Sequence, residues 1–386
     1  ARIKIKKYRN QKRKNEKLIK EYSTKKGNIK LKNIKLSTAK NKINSRTSGN
    51  LSNTINQTLS NQTISQSRML NKYRKSLNKF NGTTTMKYSG NKIIDFIRFY
   101  RYDLSFLYFY RKSLFSAILS RLFCKKVYMT GGIDALDRNL VSEKEYIFQK
   151  IMFKLCYLFA DKCVVVSNSD LKNISGLYKK KPTKLFFSYH VINIEKFSCG
   201  FEKKCEELFV TIGWMETKAN VIRKGIDRAL YVFEKLVANK KYADSKFVII
   251  GKLGEGSDYL REIVENLRLE EYVSFVGSIS EEDKISLLKK SKYYFQLSSY
   301  EGFGISALEA LAASNIVIHS GMGGLNDTIK SFGIKIDIQK NYENMTASIL
   351  DLIEQFDYNK LIDGYNYIHE TFSLEKRREE FRELLK

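Results

Sequence analysis

From about residue 83 the chain alternates short apolar, β-rich runs with longer stretches of helical periodicity. A doubly wound parallel sheet reads this way, with each strand followed by a crossover helix. The runs predict strands over 83–88, 103–110, 126–130, 163–167 and 184–189, separated by helices over 90–101, 111–123, 143–160 and 169–178. A weaker alternation of Ile29, Leu31, Ile34 and Leu36, followed by a turn at Gly49, supplies an opening strand, so the first domain is expected to span 26–200. The alternation restarts after a charged stretch at 202–207, with strands over 208–213, 246–251, 272–276, 293–297, 315–319 and 333–336. These define a second domain over 201–370, and 371–386 reads as a closing helix.

A chain of 386 residues with 43% hydrophobic residues has material for two cores, which excludes a wholly disordered chain. Residues 1–25 carry many charges and few apolar anchors, so they read as a basic arm, while 40–80 is rich in Asn, Ser, Thr and Gln and supports only a weakly amphipathic helix. Charge changes the picture further. The net +28 lies wholly in residues 1–200, which hold 43 Lys and Arg against 11 Asp and Glu, whereas 201–386 hold 26 against 30. Nucleic acid, anionic lipid headgroups or an acidic substrate would suit such a surface, with a solvated arm as the plainer alternative. The cations lack the aromatic interleaving of a base-stacking surface, which argues against nucleic acid.

The five cysteines are irregularly spaced and form no Cys-x-x-Cys pair, so neither a disulfide framework nor a zinc site is indicated. The most apolar stretch, 93–123, is broken by Asp95, Arg98, Arg101, Asp103, Arg111, Lys112 and Arg121, which excludes it as a bilayer span. The aromatic and basic band over 96–123 is either core or a membrane contact. No signal-peptide pattern opens the sequence, so the expected location is cytoplasmic, peripheral at the inner face of the membrane.

The candidate chemistry lies in the segment Ser298-Ser-Tyr-Glu-Gly-Phe-Gly-Ile-Ser-Ala-Leu-Glu309, which follows a predicted strand and enters an Ala/Leu-rich helix. Gly302 and Gly304 flank Phe303 and precede Ile305, letting backbone approach a ligand at the N–H groups of the first helical turn. Glu301 falls in the loop and Glu309 about one turn inside the helix, both suited to accept hydrogen bonds from paired hydroxyls. No Asp-x-Asp pair follows a strand, so no metal site is read.

These residues resemble the Glu-x7-Glu motif of retaining glycosyltransferase family 4. Thr211-Ile-Gly-Trp214 and Arg223-Lys224-Gly225-Ile-Asp227 look like that family's segment after the first donor-domain strand. The runs 315–327, 159–169 and 191–197 resemble further family segments, so the resemblance covers roughly residues 103–386. It implies an α/β, GT-B fold with two Rossmann-like doubly wound domains facing across a cleft. It also implies transfer of a sugar from a nucleotide diphosphate-sugar donor to a glycan or lipid-linked acceptor, with retention of configuration and no further cofactor. Glu301 would then hold donor-sugar hydroxyls, Glu309 the nucleotide ribose, Lys224 and Arg223 the diphosphate, and Gly225, Gly302, Phe303, Gly304 and Ile305 would line the donor.

The chain departs from the family pattern at two places. Trp214 stands where the family often has Arg, and Thr130-Gly131-Gly132 replaces a common His-Gly pair. On the acceptor side, Gly132, Asp134 and His190 are the candidates; Asp134 and its neighbour Asp137 hold acceptor hydroxyls or cap the next helix, and His190 faces the cleft or is structural. A nucleotide-sugar epimerase, or a polyanion-binding protein on a degenerate GT-B fold, remain as alternatives. The closing helix over 371–386 is expected to cross back to the first domain.

Overall fold

A computed structural model describes residues 103–123, 125–138, 140–200 and 204–385. The basic arm 1–25, the strands expected near residue 29 and over 83–88, and the helices expected over 40–80 and 90–101 lie outside the described residues.

The first sheet holds β1 (Leu104–Tyr108), β2 (Lys126–Thr130), β3 (Lys162–Val165) and β4 (Leu185–Phe187), all parallel and in that spatial order. Helices α1 (Tyr110–Leu122), α2 (Glu143–Phe159) and α3 (Asn168–Ser175) make the crossovers. Local sequence explains the helix starts. Ser142 caps α2 by accepting from the Glu145 amide, with Glu143 and Glu145 in the first turn, and Ser167 caps α3 by accepting from the Asp170 amide. Residues Tyr146, Gln149, Phe153, Cys156 and Tyr157 give α2 its buried stripe at helical spacing. The Gln149 side-chain oxygen accepts from the Tyr110 hydroxyl at 2.8 Å, which ties α2 to α1. The strand expected over 184–189 is only three residues long; β4 is an edge of the described sheet, the Ser188 amide still donates to the Val165 carbonyl at 2.9 Å, and its side chain bonds Glu380 and Arg377.

The second sheet runs β10-β9-β8-β5-β6-β7, again parallel. Its strands are β5 (Cys205–Ile212), β6 (Lys246–Ile250), β7 (Val273–Gly277), β8 (Ser291–Gln296), β9 (Ile316–His319) and β10 (Ile334–Lys335). Around it lie α4 (Ile194–Phe197), α5 (Lys218–Lys224), α6 (Ile226–Val237), α7 (Glu255–Asn266), α8 (Glu281–Lys290), α9 (Ile305–Ala312), α10 (Leu325–Thr328) and α11 (Tyr342–Glu354). Every residue of β8 is buried, which is why it reads as a continuous run rather than an alternating one. The strand order reverses between β5 and β8. In open α/β sheets a crevice opens at such a switch point, outside the carboxyl ends of the strands.

Helices α12 (Asn359–Phe372) and α13 (Leu374–Leu385) close the chain. The Ile192 amide donates to the Phe372 carbonyl at 3.2 Å, and α13 then lies on the first sheet. There the Tyr128 hydroxyl donates to the Leu384 carbonyl at 2.8 Å, and Phe106 stacks on Phe381 with centroids 5.8 Å apart.

Candidate functional site

The switch point of the second sheet gathers two segments that are distant in sequence. Arg223 and Lys224 end α5, and Gly225 in the left-handed region, φ 65°, turns the chain into α6. The segment is bonded to the loop after β8: the Ser299 amide donates to the Arg223 carbonyl at 2.9 Å, and the Ser298 hydroxyl donates to the Lys224 carbonyl at 3.2 Å. Lys224 Nζ consequently lies 2.5 Å from Glu301 Oε2, and Gln296 Nε2 donates to the same oxygen at 3.3 Å. Arg223 Nη1 approaches the Tyr300 carbonyl at 3.4 Å.

Gly302 has open space on the side where a Cβ would stand, while Phe303 is buried against the protein. Gly304, φ 86°, is the N-cap of α9 and offers no side chain to its first-turn N–H groups, which leaves them to a ligand. From behind, the Gly324 amide donates to the Glu301 carbonyl at 2.7 Å and fixes the loop. Ile305 opens α9 and Glu309 is its fifth residue, nearly buried and paired with Lys284 Nζ at 2.6 Å. Lys284 also reaches Glu281 at 3.5 Å. The two glutamates therefore have separate lysine partners.

Across the crevice, Gly132, φ 77°, starts a 3₁₀ turn, Ile133–Leu136, whose first turn carries Asp134. Asp134 is exposed at this turn. Desolvation by the surrounding protein pushes its carboxyl above the ordinary range, Arg223 pulls against this and Glu301 adds to it, which places Asp134 within electrostatic reach of both Arg223 and Glu301. The helix-cap alternative fails for Asp134 and Asp137, because Ser142 caps α2. Behind Asp134, burial first and then Asp134 itself push the carboxyl of Asp170 well above its usual value. His190 sits edge-on to Phe303 with centroids 5.1 Å apart, and burial with Arg377 pushes its imidazole down to about 3. It is neutral and packed beneath the Gly302–Gly304 loop.

Several residues here were given no role by the sequence, although some lie in the segments that resemble the family. Asp327 accepts from the Asn168 amide at 2.6 Å and from its side-chain nitrogen at 2.8 Å, joining the two sheets' carboxyl ends. Tyr300 adds a hydroxyl contact with Ser169 at 3.2 Å and accepts from Asn173 at 3.3 Å. Lys284 and Gln296 belong with them, since each acts on a glutamate through a separate element. Among the described residues, no group of three or more His, Cys, Asp or Glu is arranged to hold a metal ion.

Residues 217–365 match the family model of glycosyl transferases group 1. An uncharacterized glycosyltransferase of Methanocaldococcus jannaschii is 26% identical over 209 residues, covering 52% of this chain and 50% of its own length. The O-antigen chain mannosyltransferase B of Escherichia coli is 25% identical over 150 residues, covering 39% of this chain and 38% of its own. The chain thus spans half or less of these relatives' length. Among solved structures, Anabaena HepE in complex with UDP and glucose superposes with a TM-score of 0.64 at 15% identity, covering 78% of this chain and 84% of that one. Two parallel-sheet domains facing at their carboxyl ends, with such neighbours, make the fold GT-B.

Proposed function

We propose that the protein is a glycosyltransferase that moves a sugar from a nucleotide diphosphate donor to a glycan or lipid-linked acceptor, retaining anomeric configuration. The observation that carries the proposal is the pairing of Lys224 with Glu301 at the switch point, beside the uncapped N-terminus of α9. As the glycosidic bond breaks, the sugar becomes oxocarbenium-like and negative charge grows on the departing diphosphate. Lys224, Arg223 and the first-turn N–H groups of α9 are placed to meet that charge, and transfer of Lys224 from Glu301 to the phosphates frees Glu301 for sugar hydroxyls. Glu309, held by Lys284, takes the ribose. The departing phosphate and attacking hydroxyl share one face of the sugar, which gives retention without a protein nucleophile. Asp134, facing this site from the other sheet, holds the acceptor. The match of 217–365 and the UDP held by a structural neighbour support this reading.

The test is incubation with a panel of nucleotide sugars that includes UDP-glucose and GDP-mannose, following release of free nucleotide and the anomer formed. One donor should be hydrolysed slowly without acceptor and faster with it. Glu309→Ala should weaken binding of that nucleotide in calorimetry, at about 1.5–3 kcal/mol per charged hydrogen bond lost. Unchanged affinity would remove Glu309 from the ribose site, and hydrolysis of no donor would overturn the activity.

A further inference from the structure

Helix α2 is apolar on both sides. Its inward stripe fills the first core, yet Ile147, Phe148, Ile151, Leu155 and Leu158 point outward, with Ile151 53% and Leu158 65% exposed. A surface helix ordinarily presents charge there. The neighbouring α1 extends the patch with Phe115 and Leu122, the latter 70% exposed. The charges around it are in cationic surplus: Arg111, Lys112, Arg121, Lys144 and Lys154 are exposed on these two helices, with Arg111 paired to Glu145 at 2.8 Å, Arg121 paired to Asp161 at 2.9 Å, and Glu143 exposed beside them. Arg111 lies 5.2 Å over the Phe148 ring, so cation and apolar surface form one patch. Lys112 and Lys144 have no carboxylate partner among the described residues.

We propose that this α1–α2 face docks the protein on an anionic lipid bilayer. Aliphatic and aromatic side chains enter the boundary between headgroups and acyl chains, and the surrounding ammonium and guanidinium groups meet lipid phosphates. The surplus of cations at the rim of the apolar strip selects an anionic lipid surface over a protein partner. The contact centres on α2, outside the arm 1–25, and takes only its α1 part from the band 96–123 that the sequence suggested. Its position has a consequence that rests on the proposed transferase function. The start of α2 adjoins the turn carrying Asp134, where Arg138 pairs with Glu143 at 3.8 Å and covers the Tyr146 ring at 4.7 Å. A lipid-anchored acceptor would therefore arrive at the acceptor side of the crevice.

The experiment is flotation of the full chain with phosphatidylcholine vesicles, with and without phosphatidylglycerol, at low and high salt. Ile151→Ser/Leu155→Ser and Lys144→Glu/Lys154→Glu serve as variants, their folding checked by denaturation midpoint. Anionic vesicles should carry the wild type, salt should weaken the binding, and each double variant should bind about tenfold or more weakly. Ile151→Trp should be quenched by brominated anionic lipid while the native Trp214 is not. Variants floating as well as the wild type would overturn the proposal. So would Ile151→Trp emission that is already blue-shifted without lipid, because another part of the chain or a second copy would then cover the face, and gel filtration would tell which. No outcome depends on catalysis, so failure here is distinct from failure of the transferase reading.

Discussion

At the scale of single residues, the crevice holds two lysine–carboxylate pairs, Lys224 with Glu301 and Lys284 with Glu309. Lys224 and Glu301 are largely screened from solvent, with side chains 18% and 14% exposed, so their attraction is less weakened by water than that of a surface pair. Replacing Lys224 with Ala should lower turnover by about a hundredfold while weakening donor binding much less, because the charge it meets grows in the transition state. Steady-state kinetics at saturating donor, beside calorimetry, checks this; a defect confined to binding would contradict it. His190 makes a prediction about pH. Its imidazole, ordinarily titrating near 6.5, is pushed to about 3 in the fold. The unfolded chain therefore binds more protons between those values, and the stability present above pH 6.5 is lost as pH falls toward 3. Asp134 and Asp170, raised by burial, contribute the opposite slope. Comparison with His190→Asn isolates the histidine: between pH 7 and pH 4.5 the wild type should lose more urea resistance than the variant. Parallel losses would mean that His190 does not titrate as its packing requires.

At the scale of elements, the proposed donor side depends on one joint, where α5 ends, α6 begins and the loop after β8 passes overhead. Gly225 sits in it with φ 65°, and a methyl group there would run into the Leu297 carbonyl. Gly225→Ala should cost more than about 1 kcal/mol of stability, since both the left-handed backbone and the contact oppose it. The same substitution should reduce donor affinity by displacing Lys224. Equilibrium denaturation and nucleotide titration read the two effects, and an undisturbed midpoint would show that the joint relaxes freely. This joint was legible in the sequence because it is local: an Arg-Lys-Gly run and a glycine-rich loop announce themselves over a few residues. The strand expected over 126–130 is β2 itself, and the buried β8 appeared as an apolar run. Lys284 was not legible, because its partner Glu309 lies on another helix and nothing in the spacing of α8 marks it. The Asn168–Asp327 contact, between residues 159 apart, is likewise a product of how the two sheets meet. The outward apolar face of α2 escaped notice because five apolar residues on a helix read as core until the opposite face is seen to be core as well.

At the scale of the whole described molecule, the proposed transfer needs two sheets to meet at their carboxyl ends, and α13 is the strap that joins them. The helix leaves the second sheet at Phe372 and crosses to the first. There Phe381, 5% exposed, stacks on Phe106, the Tyr128 hydroxyl reaches the Leu384 carbonyl, and Arg377 and Glu380 bond Ser188 at the end of β4. Asn168 and Tyr300 make a polar junction, and Tyr189 and His190 pack on Phe303 beside it. We expect the strap to be the permanent coupling and the polar seam the adjustable one. Phe381→Ala removes a buried aromatic ring from the strap, a loss worth about 3–5 kcal/mol. Nearly all of that cost falls on the first sheet, because the second keeps its core intact. Differential scanning calorimetry of the wild type should show the two sheets unfolding in one transition; in Phe381→Ala the first sheet should melt separately and at lower temperature. Tyr300→Phe, which removes only a hydroxyl from the seam, should leave the single transition in place. A Phe381→Ala variant that still melts as one unit, merely shifted, would mean that the seam at Asn168 and Tyr300 holds the sheets together without the strap, and the assignment of permanent and adjustable contacts would be reversed.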